Sequence, residues 1–389
     1  MRNCIIAASH RFFGTPEKIL LSILGLFLCI NISHALFVGQ TVYGDGRYYT
    51  ALVRSLVVDH DLSFTNDYQI LKITEKIGPN LLPVNKYQIG PALFWMPGYV
   101  LIRPLFLGTG YEFPYQIMIS LMSVSGAWIG LVILYQLLKQ YFGNTIGIMT
   151  VVMIAGTTSL LFYGSVDTVN SHAITFLGST VFLWMVVRSI DAKVAGSILG
   201  LTLLTRPQEA LGILIAVATK KYRYFAVIFV TALSVYTIQW IIWRISYGAW
   251  VLSGYAANGE GFQVSFFPII TVLFHRDSGI IFATPSLISA FAGACMTWPK
   301  KLMAYRVPTI MIVIMQALTI AWWSSPTQGA SYGSRMFIGT LPYLSIPMAV
   351  FLTWLSEKRF EGKTITWFFI LSLTGINLIR ILWFLVVHP

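Results

Sequence analysis

Residues 19–38 read ILLSILGLFLCINISHALFV, and residues 43–67 read YGDGRYYTALVRSLVVDHDLSFTND. The first stretch contains no Asp, Glu, Lys or Arg. Its length is close to the roughly 20 apolar residues that a helix needs to cross a bilayer. The second turns at once to acids, arginines and tyrosines. A spanning helix delivering a polar segment to a membrane surface is the simplest reading, and the rest of the chain repeats the first half of it. Further apolar runs lie at 115–137, 145–163, 172–187, 224–243, 279–298, 305–323, 336–355 and 365–386. The predicted fold is an all-α polytopic membrane protein with about nine full spanning helices.

Composition supports this. Of the 389 residues 56% are hydrophobic and 10% charged, against about 25% charged in soluble globular proteins. So apolar a chain cannot cover a water-facing surface, which excludes a soluble enzyme, a disordered protein and a coiled coil. The net charge of +12 would suggest nucleic acid in a soluble protein. In a membrane protein it reads as an excess of Lys and Arg in cytoplasmic loops, and no nucleic-acid partner is expected. Cys4, Cys29 and Cys295 are too few for a disulfide framework or a zinc site, and read as packing residues. Arg2, Arg11 and Lys18 precede the first apolar run, which lacks a small-residue cleavage site and reads as a retained signal anchor. Residues 1–389 are expected to form a single integral membrane domain, with a first outer loop over about 40–113 and the remaining helices over 114–389.

The stretch 194–219 is apolar but carries Arg206, Pro207 and Glu209 at its middle. One continuous helix would bury two charges beside a helix-breaking proline. Two half-helices meeting at Thr205–Pro207 avoid that cost, bringing the expected total to 10–11. With the N-terminus cytoplasmic and 90–110 a helix lying at the outer surface, fifteen of the 26 basic residues fall inside, among them Lys139, Arg188, Lys220, Lys300, Lys358 and Arg359. Ten of the 14 acids then fall outside. Letting 90–107 span would export Lys139. Chemistry is therefore expected on the extracytoplasmic face.

On that face, Tyr49, Leu52, Val53, Leu56 and Val57 form a helical stripe with Arg47, Thr50 and Arg54 opposite, an amphipathic helix resting on the membrane. Asp45 precedes it, as an N-cap, a general base or both. Asp59, His60 and Asp61 are candidates for holding an acceptor or a divalent cation, or simply a solvated turn. Lys86 and Tyr87 lead the aromatic, proline-broken helix containing Phe94 and Trp95. Such a helix suits a lipid chain, with Lys86 near a phosphate or merely snorkelling. Arg206, Arg276 and Arg335 are arginines in apolar surroundings, where an arginine is a functional hypothesis by default. Arg206 has Glu209 nearby and Arg276 has Asp277, whereas Arg335 has no local acid and its guanidinium suits a phosphate. Asp167, Asn170 and His172 form a smaller polar cluster. Arg380 sits inside the last helix without an obvious role. Gly126/Gly130 and Gly196/Gly200 read as close helix packing. Residues 329–333 match GxSxG, but no Asp follows Ser331 and the one later histidine is His388, so a serine hydrolase is not expected.

Four segments resemble the C-type glycosyltransferase superfamily, membrane enzymes using polyprenyl- or dolichyl-phosphate sugars. They are Gly44-Asp45-Gly46-Arg47-Tyr48-Tyr49 with Asp59-His60-Asp61-Leu62, then Lys86 to Trp95, the LLTRP segment with Arg206 and Pro207, and Trp322-Trp323 through Gly333-Ser334-Arg335. The resemblance implies inverting transfer of one sugar from a polyprenyl-phosphate donor to an acceptor hydroxyl on a glycan, lipid or protein. Asp45 would be the base, with Lys86 and Arg335 on the donor phosphate, joined by one or both of Arg206 and Arg276. Tyr87, Phe94 and Trp95 would line the lipid groove. A divalent cation, Mg or Mn, is an option through Asp45, Asp59 or Asp61, but no cofactor is required. Many relatives have Asp-Glu where this chain has Asp45-Gly46, which puts a tight acidic dyad in doubt and leaves Asp59 or Asp61 as the second carboxylate. A bacterial plasma membrane is the expected location. The competing readings are a transporter or flippase of lipid-linked sugars, which also needs a basic cavity and broken helices, and a glycan polymerase or ligase.

Overall fold

The structure, a computed structural model, describes residues 15–251, 253–265, 267–329, 331–357 and 361–387. Cys4, Arg2, Arg11, Lys358, Arg359 and His388, used above, lie outside the described residues. Among the described residues the regular elements are all helical, with two isolated β-bridges and no strand. Six helices among the described residues are long and apolar enough to cross a membrane: Pro16–Val38, Phe113–Thr157, Tyr222–Tyr247, Lys300–Ala321, Arg335–Glu357 and Gly362–Val387.

The 45-residue run Phe113–Thr157 would be about 68 Å long if straight, twice a bilayer's apolar thickness. It is folded instead at Gly143, whose φ of 75° and ψ of 169° lie where residues with a Cβ are strained. The expected span at 115–137 and most of that at 145–163 are therefore two helices joined at Gly143; the second ends at Thr157, and Leu160–Ser165 is a separate short helix. His172–Val187 is apolar but only 16 residues long.

The expected span at 279–298 is corrected. It is broken into Ile280–Ala283 and Leu287–Cys295, because Pro285 lacks the N–H a continuing helix needs and pushes the residue before it out of helical conformation; Thr284 has φ −139° and ψ 69°. The amphipathic helix is corrected too. Gly46–Arg54 continues into a π-helical turn, Ser55–Asp59, and buries its polar face as well as its apolar one, with Thr50 1% and Arg54 6% exposed. It packs inside the protein instead of resting on lipid. Cys29 and Cys295 are exposed and not packed in the core.

The half-helix hairpin is present. Ala192–Leu203 ends, and Pro207–Ile213 restarts as a 3-10 turn running into Leu214–Val217. Gly196 and Gly200 press against the backbone of Ile228 and Ala232 on Tyr222–Tyr247, with no room for a side chain. The break exposes backbone groups that lipid could not satisfy. Its Leu204 carbonyl accepts from Gly90 N–H at 2.6 Å, and Gln239 Oε1 accepts from Ile89 N–H at 2.8 Å. The first bond fastens the start of Gly90–Ile102 to the broken helix and the second fastens it to Tyr222–Tyr247. They thereby place the preceding Lys86–Tyr87 turn beside Arg206.

Candidate functional site

Asp45 stands at the N-cap position of Gly46–Arg54, yet its carboxylate makes no capping bond. Oδ1 accepts from Tyr87 Oη at 2.8 Å, and Oδ2 pairs with Arg335 Nη1 at 3.1 Å. The side chain is thus turned away from its own helix and into a cavity of about 470 Å³, within the range of small-molecule sites. Lys86, Tyr87, Arg206, Gln208, Tyr255 and Arg335 also line it. Five parts of the chain that are distant in sequence meet there.

Arg206 reaches Ser171 Oγ at 3.3 Å, His172 Nδ1 at 3.2 Å and Gln208 Oε1 at 3.4 Å. The local pair with Glu209 does not form. Glu209 turns inward to Ser179 Oγ at 3.4 Å, and its Oε1 is buried without a partner. No carboxylate among the described residues forms an ion pair with Arg206. Lys86 is held by Glu260 and lies 5.5 Å and 5.7 Å from the Tyr87 and Tyr255 ring centroids, within cation–π range. Glu260 and Tyr255 were missed in the sequence, where they belong to an unremarkable loop; nothing local marks their approach to Lys86.

Burial raises the proton affinity of the Asp45 carboxyl. The Arg335 charge, the Tyr87 hydrogen bond and the charges of Arg206 and Lys86 together outweigh this and hold it below the usual carboxylate range. Burial and the Asp45 charge push the Tyr87 hydroxyl far above its ordinary value, so it is a donor and not an anion. Asp167 behaves oppositely. Burial pushes its carboxyl up to about 7, against Arg335 and an Asn170 hydrogen bond, and with the Asp45 charge adding to the rise. Asp167, on the loop before His172–Val187, thus feels the Asp45 charge without lining the cavity, where the second carboxylate is Glu260.

Asp59 and Asp61 are used within their own loop. Asp59 Oδ2 lies 2.5 Å from Arg54 Nη1 and accepts from Asn66 Nδ2 at 2.7 Å, while Asp61 Oδ1 accepts from Ser55 Oγ at 2.8 Å and from Ser63 N–H at 3.1 Å. His60 takes the left-handed turn between them, φ 59°. None of the three lines the cavity. Among the described residues no group of three or more His, Cys, Asp or Glu side chains could hold a metal ion. Arg276 is not brought to the cavity either; it lines a separate one. Trp95 is fully buried, its indole donating to Ser123 Oγ at 2.8 Å, and Phe94 rests on Gly126. The open apolar surface of this region is instead Val100, Leu101, Leu105 and Leu107. Ser331 Oγ donates to the Gln328 carbonyl at 2.8 Å within its own turn, as a structural hydroxyl does.

The Asp-Gly pair has a steric reason. A Cβ at Gly46 would collide with the Val169 carbonyl, so the loop carrying Asp167 can close over the start of the Asp45 helix only if residue 46 lacks a side chain. Gly46→Ala is expected to lower stability by about 1–3 kcal/mol, the usual cost of overpacking, measured as a drop in Tm of the detergent-solubilised protein.

No protein-family model and no curated protein matches this chain. Among solved structures it resembles ArnT from Cupriavidus metallidurans in the apo state, with TM-score 0.51 and 14% identity over 90% of this chain and 62% of that one. ArnT from the same organism bound to undecaprenyl phosphate matches with TM-score 0.50 and 13% identity, over 95% of this chain and 70% of that one. The chain thus spans less than two thirds of the apo structure's length. The likeness is one of fold: a helical membrane architecture similar to that of ArnT.

Proposed function

We propose that this chain transfers a single sugar, with inversion, from a polyprenyl-phosphate donor to an acceptor hydroxyl on the extracytoplasmic side of a bacterial plasma membrane. The observation that carries the reading is the meeting of Asp45 with Lys86, Arg206 and Arg335 in one cavity. With Glu260 paired to Lys86, the cavity holds two carboxylates and three cations, a base with net positive charge beside it, which is what attack by a hydroxyl and departure of a phosphate require. The undecaprenyl phosphate bound to the structurally similar ArnT and the basic inner loops of the sequence agree with it.

In the resting state Arg335 occupies Asp45. A donor phosphate entering beside Arg206 and Lys86 competes for that guanidinium, and Asp45 becomes more basic as the ion pair loosens. Asp45 then takes the proton from the acceptor hydroxyl, whose oxygen attacks the anomeric carbon. The bond from that carbon to the phosphate oxygen breaks on the opposite face, and the prenyl phosphate leaves with the electron pair, neutralised by the cations. Tyr87 holds the other carboxylate oxygen throughout, fixing the direction of attack.

Asp167 adds a pH dependence. Raising pH through about 7 ionises it and adds negative charge near Arg335. Affinity for a prenyl-phosphate sugar, a diester that does not titrate here, should fall about three- to tenfold between pH 6 and 8, equivalent to roughly 1 kcal/mol of like-charge interaction. The fall should vanish in Asp167→Asn, as equilibrium binding across that range would show.

The overall reading is tested in proteoliposomes loaded with a panel of labelled prenyl-phosphate sugars and candidate acceptors. Sugar recovered on the acceptor with inverted anomeric configuration supports it. Donor crossing the bilayer intact, with no transfer under any acceptor, would establish the transporter instead.

A further inference from the structure

We propose that a second cavity, separate from the one at Asp45, binds the phosphate headgroup of an anionic glycerophospholipid from the surrounding bilayer. The cavity measures about 410 Å³ and lies between the 274–282 segment, Tyr332 of the late loop and the last helix, Gly362–Val387. It shares no lining residue with the Asp45 cavity.

Two arginines line it, Arg276 from the segment and Arg380 from the helix. Arg380 donates to the carbonyl of Phe282 and, at 3.1 Å, to that of Arg276. These bonds fix the guanidinium in place but neutralise none of its charge. Asp277 lines the same cavity, yet no ion pair joins either arginine to a carboxylate among the described residues. Two cations facing one exposed carboxylate leave the cavity net positive.

Its surroundings select an amphiphile over a free anion. Phe274, Phe282, Tyr332 and Trp383 supply aromatic walls. The last helix around Arg380 exposes Leu371, Ile379, Leu382, Trp383 and Val386, an apolar face suited to acyl chains. Arg380 lies seven residues before Val387, about 10 Å along the axis at 1.5 Å per residue. That places it in the C-terminal half of the 26-residue helix and away from its middle, where arginine would be most costly. Basic pockets between spanning helices bind anionic headgroups on the cytoplasmic side, and the same charge complementarity applies to this pocket in the other leaflet. Tyr332 and the Asp45 partner Arg335 share one loop, so the lipid belongs to the leaflet on the Asp45 side.

The test is native mass spectrometry of the full chain released from detergent, titrated with phosphatidylglycerol, phosphatidylethanolamine, undecaprenyl phosphate and inorganic phosphate. The wild type should retain phosphatidylglycerol about tenfold better than phosphatidylethanolamine, the scale of one charge-assisted contact. That preference should disappear in Arg276→Gln/Arg380→Gln and shrink in Arg276→Gln alone, a change on an exposed segment that keeps the helix intact. Inorganic phosphate at millimolar concentration should not displace the lipid. Equal retention of the two phospholipids, an unchanged preference in Arg276→Gln, displacement by inorganic phosphate, or one-for-one displacement by undecaprenyl phosphate would each overturn the proposal.

Discussion

Asp45→Asn should lower the rate of sugar transfer by about 10²–10⁴-fold, the span that positioned general bases contribute, while leaving donor binding intact or stronger. Asparagine preserves the size of the side chain and an oxygen for the Tyr87 hydroxyl, now 2.8 Å from Oδ1. What it loses is proton affinity and the charge that holds Arg335 at 3.1 Å. The released guanidinium is then available to phosphate, so affinity for the donor should not fall. A merely structural Asp45 would give a different pattern: lower Tm and weaker binding, with the surviving folded protein still active. Steady-state rates and equilibrium donor binding measured on the same preparations separate the two. Because the carboxyl is held below its ordinary range, Asp45 is ionised throughout neutral pH. Its protonation alone should therefore not depress activity until the pH drops into the acidic carboxylate range.

Arg206→Gln should lower the rate by about 10²–10³-fold, the loss seen when one preorganised donor to a developing oxyanion is removed, and should not lower stability. Both halves follow from the same observation. Ser171, His172 and Gln208 surround the guanidinium with neutral atoms at 3.2–3.4 Å, and among the described residues no carboxylate forms an ion pair with it. A cation kept at a cavity wall without an anion costs desolvation energy in the resting protein, so neutralising it relieves that cost. Arg206→Lys should rescue little, since an ammonium cannot offer two parallel donors to a phosphate. Kinetics paired with thermal unfolding checks the prediction; a large fall in Tm with unchanged kcat would make Arg206 a structural residue.

The parts of this site legible in the sequence were those where a local conflict betrayed them. Arg206, Pro207 and Glu209 within an apolar run could not form one buried helix, and the structure breaks there. Asp45 was visible because an acid directly follows a spanning helix. The partnerships were not legible, because they close over long separations: 290 residues between Asp45 and Arg335, 174 between Lys86 and Glu260. Arg54 misled for the same reason. Its helical face looked solvent-exposed until Asp59 and Asp67 arrived from the following turn and helix to bury and pair it. The span expected at 279–298 failed because average hydropathy over a window is blind to one proline. Gly46 was read as a missing carboxylate, whereas the Val169 carbonyl above it explains the glycine by space alone.

Whether the Asp45 cavity performs transfer is read from a single-turnover experiment with donor pre-bound to wild type and to Asp45→Asn, followed by addition of acceptor. Wild type should release prenyl phosphate in step with an inverted glycoside, while the variant holds an equal amount of donor unchanged. Equal conversion by both proteins, or release of intact donor by both, would contradict that expectation.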